Sequence, residues 1–232
     1  LVVTPVEYLQ ERSLDKANCF KIVFMIKETM ENRHRQRSSA VLSKISVPFN
    51  QAYWVEPGRL MAGCYPGSEK PGETDVKLKG LLDHGIRHII NLMEPGEINR
   101  AGKSIVPYEN RLQEIAATKH CEVTFERIAI KDMATPPRVD MGRILDRIDE
   151  SVKQNRPVYI HCLGGIGRTG TVVGCYLARH GYATNQSLIR MIQELRKNTV
   201  THHLMSPETN RQIEYICSWV EAEFHKDKNN EN

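Results

Sequence analysis

The sequence predicts an α/β fold, a central and mostly parallel twisted sheet with helices on both faces. Three observations carry that expectation. From Arg59 to Phe224, short runs rich in β-branched residues alternate with longer runs of helical spacing, the order that builds a parallel sheet through crossover helices. The run Val158-Tyr-Ile-His161 passes directly into a glycine-rich turn and then into a helical stretch. The chain has 232 residues, 40% of them hydrophobic, enough for one good-sized core and an extension.

Residues 1–47 stand apart. Leu14 to Met30 places Phe20, Val23, Phe24 and Ile26 at helical spacing, and the basic stretch Arg33-His-Arg-Gln-Arg37 follows. This reads as a helical N-terminal extension that packs on the domain or docks a partner, with a basic arm for membranes or phosphates as the alternative. Pro48 to Pro57 reads as a link into the main domain, 48–225.

In that domain Arg59-Leu-Met-Ala62 is a short strand before the turn Tyr65-Pro-Gly-Ser68, and Thr74 to Asp83 is a helix stopped at Gly85. Arg87 to Met93 is a strand and Tyr108 to His120 a helix. Val123 to Ile130 alternates as a strand does, and Val139 to Gln154 is amphipathic with Ile144, Leu145 and Ile148 inward. Val158 to His161 is the central strand. The helix behind it runs to Arg179, breaks at Gly181 and gives way to a second from Ser187 to Lys197. Pro207 to Phe224 is the last helix, and 226–232 a polar tail. Ligands on such sheets bind beyond the carboxyl ends of the strands, and Cys162 lies at such an end.

Composition narrows the function. The net charge of +4 suits an anionic ligand, but no long Lys/Arg run is interleaved with aromatics, so nucleic acid is not expected as a partner. The six cysteines, at 19, 64, 121, 162, 175 and 217, form no Cys-x-x-Cys pair, which points to a reduced, cytoplasmic protein. No apolar run approaches the ~20 residues that span a bilayer, so no transmembrane segment is expected. No signal-type stretch precedes the first charged segment. The adjacent His202 and His203 come without a carboxylate cluster, so no metal is expected, and no cofactor either.

The run His161-Cys162-Leu163-Gly164-Gly165-Ile166-Gly167-Arg168-Thr169-Gly170 carries the chemistry. A loop of this kind turns backbone N–H groups inward and adds the positive end of the helix behind it, which makes an anion cradle. The same field stabilises a thiolate. Gly165-Ile-Gly-Arg-Thr-Gly170 also fits the dinucleotide form Gly-x-Gly-x-x-Gly, but no second strand with a terminal acidic residue follows. A Walker A loop is excluded by the missing Gly-Lys-Ser/Thr ending.

The spacing His-Cys-x5-Arg-Thr resembles the signature of the cysteine-dependent protein tyrosine phosphatases. The full form His-Cys-x-x-Gly-x-Gly-Arg-Thr-Gly is most similar to their dual-specificity branch, with the phosphatase loop between a central strand and a helix. The resemblance implies Cys162 as nucleophile and His161 as the residue that orders the loop. Arg168 offers a planar fork to two phosphoryl oxygens, which lysine cannot. Leu163, Gly164, Gly165, Ile166 and Gly167 supply the phosphate-binding backbone, and Thr169 a hydroxyl for the departing sulfur. Asp132, 30 positions before Cys162 and followed by Met-Ala-Thr-Pro136-Pro137, resembles the general-acid loop of the superfamily. Gln212, after Thr201-His-His-Leu-Met-Ser206-Pro, resembles the glutamine that orients the attacking water.

These assignments lead to a phosphomonoester hydrolase with a cysteinyl-phosphate intermediate, acting on a phosphorylated protein or peptide. The uncharged Leu163 to Ile166 favours a singly phosphorylated group. Lys131, Arg100 and Lys103 near the rim keep a phosphoinositide or inositol phosphate as the alternative substrate. A catalytically silent phosphate-binding module is the reading from another class, and it leaves Cys162 and Asp132 without a task.

Overall fold

A computed structural model describes residues 46–70, 72–99 and 101–228, with side chains in the last helix described to Trp219. Five strands, β1 (Ala52–Glu56), β2 (Leu60–Gly63), β3 (His88–Asn91), β4 (Thr124–Arg127) and β5 (Val158–His161), form one sheet in the order β1-β2-β5-β3-β4. β1 runs antiparallel to β2, and every other pairing is parallel. Among the described residues, six helices connect and cover them: α1 (Glu73–Asp83), α2 (Glu109–Thr118), α3 (Arg138–Lys153), α4 (Gly167–Arg179), α5 (Gln186–Arg196) and α6 (Asn210–Lys228).

β5 sits in the middle of the sheet, and all four of its residues are buried, as a strand covered on both faces requires. Its alternation sends Tyr159 and His161 to one face. There Tyr159 meets Phe49, and His161 meets Tyr108 at the head of α2. Val158 and Ile160 turn the other way, where α3 and α4 pack against the strand. α4 is buried along almost its whole length because α6 closes over it, and Gly174 leaves only enough room for Ile216.

The segment expected to be a linker, Pro48 to Pro57, instead contains β1. Its Ala-Tyr-Trp-Val core has strand-forming side chains that are all buried, and the flanking Pro48 and Pro57 conceal that signal in the sequence. β4 is shorter than the expected Val123 to Ile130, and none of its residues is buried: Thr124 and Arg127 are exposed and Phe125 and Glu126 half-buried, as befits a sheet edge. The expected N-terminal helix, the basic stretch after it and the docking role assigned to them lie outside the described residues, as do 229–232 of the polar tail.

The parallel strands bring four chain ends to one rim. Leu92 N–H donates to His161 O (2.9 Å), Ile130 N–H to Leu92 O (2.9 Å) and Tyr65 N–H to Leu163 O (3.0 Å). The sheet thus hands Cys64, Met93, Asp132 and Cys162 to the same edge.

Candidate active site

Cys162 leaves β5 and is 3% exposed, at the floor of a loop fixed on both sides. Tyr65 N–H holds Leu163 O at the end of β2, and the Ser206 hydroxyl donates to Ile166 O (2.8 Å). Between them Gly165 adopts φ +71, and a Cβ on it would come 2.6 Å from Gly63 O and 2.7 Å from Cys64 N. Only glycine fits that approach. α4 then begins at Gly167 without any side-chain cap, so the amide groups of its first turn stay open to an anion.

Arg168, in that first turn, is 2% exposed. Glu97 takes its guanidinium end-on, Nη1 to Oε1 at 2.5 Å and Nη2 to Oε2 at 3.0 Å, and Ile130 O accepts a further bond from Nη1 at 3.1 Å. Asp132 Oδ1 stands 3.0 Å from Nη2. Nε, on the remaining edge, is buried without a partner. The fork thus presents one edge to its carboxylate support and keeps an unsatisfied donor for something else. Burial works against the charge on Arg168, but the Glu97 hydrogen bonds and the charges of Cys162, Glu97 and Asp132 outweigh it and raise its pKa.

Thr169 is fully buried, and its hydroxyl also lacks a partner. A buried donor left open costs about 1–3 kcal/mol, so two of them side by side in sequence mark a place built for a ligand oxygen, a water or a sulfur lone pair.

His161 faces away from the cradle, as the strand alternation dictates. Its Nδ1–H donates to Cys162 O (3.1 Å), which fixes the tautomer and leaves Nε2 to accept from the Tyr108 hydroxyl at 2.6 Å. Burial pushes the imidazole down to about 3, so the ring is neutral and acts through hydrogen bonds rather than charge.

Asp132 sits in a turn closed by Ala134 N–H to Lys131 O (3.1 Å), and its side chain is 65% exposed beside Arg168. Gln212 is fully buried in the first turn of α6. Its Oε1 accepts from Glu208 N–H and Thr209 N–H, both at 3.2 Å, and its Nε2 donates to Ala134 O at 3.1 Å. It also touches the cradle, since a Cβ on Gly167 would lie 3.2 Å from Oε1 and 3.3 Å from Nε2.

The structure therefore gathers Cys162, Arg168, Thr169, Asp132 and Gln212 around one loop, with His161 behind it. It also brings in two residues the sequence reading missed, Glu97 and Tyr108. Glu97 belongs to a segment read for its cations. Lys103 from that segment instead pairs with Glu69 at 3.4 Å on the surface, and Arg100 lies outside the described residues. Tyr108 was read as the start of a helix, a position with no chemical signal of its own. His202 and His203 are exposed, and His202 Nδ1–H donates to Thr199 O (2.9 Å). No cluster of potential metal ligands occurs among the described residues, and no helix there is long and apolar enough to cross a membrane. A cavity of about 110 Å³ is lined by Tyr65, Asn91, Glu94, Glu97, Glu109 and Arg127, and Cys162 does not line it.

A family model described as a polymorphic toxin system DSP-PTPase phosphatase matches residues 66–182, half of the chain. The dual specificity protein phosphatase CDC14B of Mus musculus is 26% identical over 176 residues, 75% of this chain and 33% of that protein. The protein tyrosine phosphatase domain-containing protein 1 of Bos taurus is 29% identical over 165 residues, 65% of this chain and 20% of that protein. The chain thus spans a third or less of the length of these relatives. Among solved structures, Tk-PTP in its active form superimposes with a TM-score of 0.52 at 24% identity, covering 75% of this chain and 98% of that one. PTPMT1 in complex with PI(5)P gives 0.57 at 14% identity, covering 76% and 99%. Kinase associated phosphatase with serine in place of its catalytic cysteine gives 0.54 at 17% identity, covering 77% and 97%. These three share the fold.

Proposed function

Since the chain belongs to the DSP-PTPase family, the dual-specificity-like branch of the cysteine-dependent protein tyrosine phosphatases, we propose that it hydrolyses phosphomonoesters of proteins through a cysteinyl-phosphate intermediate on Cys162. The observation that carries this reading is the pair of orphaned buried donors, Arg168 Nε and the Thr169 hydroxyl, in the helical turn directly after the cysteine loop.

In this reading the phosphoryl oxygens take the loop amides and the Nε edge of Arg168, displacing Asp132 from Nη2. The Cys162 thiolate attacks phosphorus and the P–O ester bond breaks. Asp132 gives its proton to the leaving oxygen. Water then attacks the phosphocysteine, Asp132 takes a proton from it, and the thiolate departs with the Thr169 hydroxyl donating to sulfur. Glu97 keeps Arg168 oriented, so the charge clamp needs no reorganisation as the transition state forms.

The uncharged loop residues and the surface pairing of Lys103 favour a singly phosphorylated group over a multiply charged head group. A reducing, cytoplasmic setting fits a mechanism that depends on a thiolate.

The test is phosphate release by wild type and Cys162→Ser across an aryl phosphate, phosphotyrosyl and phosphothreonyl peptides, phosphoinositides and inositol phosphates. Cys162-dependent release with a peptide preference is expected. A preference for inositol compounds would replace the substrate class, and no release with phosphate analogues still bound would leave a binding module.

A further inference from the structure

We propose that Gln212 is the latch of the general-acid loop: its Nε2–H···O bond to Ala134 holds Asp132 over the leaving group once phosphate has taken Arg168. The inference rests on the catalytic reading above and gives Gln212 a task earlier in the cycle than water placement.

Among the described residues, two side chains from elsewhere in the fold bond to the turn that carries Asp132. One is Arg168, through the Asp132 carboxylate itself at 3.0 Å. The other is Gln212, through Ala134 O at 3.1 Å. The first tie cannot survive catalysis. Asp132 must turn to the leaving oxygen, and the phosphoryl group competes for the same guanidinium. Gln212 is then the side-chain tie that remains.

Its amide is oriented by its surroundings. The two N–H groups of Glu208 and Thr209 can only donate, so they fix the oxygen. The Ala134 carbonyl can only accept, so it fixes the nitrogen. A bond held at both ends in a fully buried site loses little side-chain entropy on forming. Because Gln212 also touches Gly167, it spans the cradle helix and the acid loop and sets the distance between them.

One Nε2–H goes to Ala134 and the second stays available to a water, so the two roles are told apart by the step that each one slows. Without the latch, Asp132 is misplaced during phosphorylation of Cys162, and esters with poor leaving groups suffer. Without a water positioner, phosphorylation stays fast and hydrolysis of the intermediate slows.

The experiment compares wild type, Gln212→Ala, Asp132→Asn and the double variant on an alkyl phosphate and on an aryl phosphate with a good leaving group, by rapid mixing and in steady state. The latch predicts that Gln212→Ala slows the alkyl ester by roughly tenfold, about one hydrogen bond's worth, with the aryl ester changed much less and no burst of leaving group. It also predicts that Gln212→Ala adds nothing in the Asp132→Asn background, because the residue acts through Asp132. A burst followed by slow turnover, or equal losses on both esters that add to those of Asp132→Asn, overturns it. Should Gln212→Ala fail to fold, Gln212→Glu keeps the acceptor for Glu208 and Thr209 while removing the donor, and the same discrimination is required of it. If Cys162→Ser retains turnover, the catalytic reading itself fails, an outcome separate from any result at Gln212.

Discussion

The hydroxyl of Tyr108 lies 2.6 Å from Nε2 of His161, 53 residues later in the chain, and through that ring it reaches the carbonyl of the candidate nucleophile, Cys162. Two elements far apart in sequence thus hold the first peptide of the cradle by a single imidazole.

That relay predicts a pH dependence of stability. Burial lowers the His161 pKa from 6.5 to about 3, so between those values the unfolded chain takes up a proton that the folded one does not. The stability contribution is complete above pH 6.5 and is lost as the pH falls towards 3. Urea unfolding at pH 7 and at pH 5 checks the direction, and the midpoint must be lower at pH 5. Tyr108→Phe leaves Nε2 buried and unpaired, at a cost of about 1–3 kcal/mol, read as a lower melting temperature at neutral pH.

The end-on Glu97–Arg168 pair predicts that the carboxylate matters for phosphate binding without touching phosphate. Glu97→Gln keeps the shape but removes the charge that offsets a guanidinium only 2% exposed. Asp132 still faces the guanidinium, so the loss should stay below the about 3–5 kcal/mol of a buried charge left wholly unpaired. Both stability and oxyanion affinity should fall, measured by thermal melting and by competition with inorganic phosphate. Arg168→Lys should lose rate by more than a hundredfold, an order-of-magnitude figure for losing a preorganised transition-state donor. An Arg168→Lys variant with near-normal turnover would remove Arg168 from the mechanism.

Asp132→Asn should slow an alkyl phosphate by about 10²–10⁴-fold, the usual contribution of a general acid. An aryl ester with a good leaving group should be affected far less. Equal losses on both esters would point to another proton donor.

Much of this was legible beforehand, and the gaps have physical causes. The cysteine loop was readable because its pattern is local, with cysteine, glycines and arginine within one strand–turn–helix unit. Asp132 was readable because a parallel sheet delivers successive strand ends to one rim. Glu97 was hidden because nothing in a surface-type Glu-Pro-Gly-Glu run shows which carboxylate turns inward; only the buried guanidinium does. Tyr108 was hidden because its partner lies in another strand. β1 was passed over because prolines bracket it, although Pro48 and Pro57 lie outside its ladder and take no donor from it.

The register of β2 and β5 predicts a second covalent state. Gly63 faces His161, so Cys64 and Cys162 are the first residues past two paired strand ends, and paired strands lie about 4.8 Å apart, a spacing compatible with the ~4.4–6.8 Å between Cα atoms that a disulfide needs. Peroxide should convert the Cys162 thiolate to a sulfenic acid, and Cys64 should displace its hydroxyl as water to form the disulfide. Burial pushes the Cys64 thiol up to about 11, so this second step should quicken as the pH rises above neutrality. Peptide mapping after peroxide, with recovery of activity in dithiothreitol, checks it. Unchanged recovery in Cys64→Ser would dismiss Cys64 as the resolving thiol.

The edge position of β4 sets an order of failure. The cradle hangs from β5, whose residues are wholly buried, whereas the loop with Asp132 hangs from a strand bonded on one side and half open to water. Edges fray before centres. On the proposed mechanism, gentle heat or dilute urea should cost the molecule its proton donor while it still grips phosphate. Its range then narrows from stubborn esters to labile ones well before it unfolds.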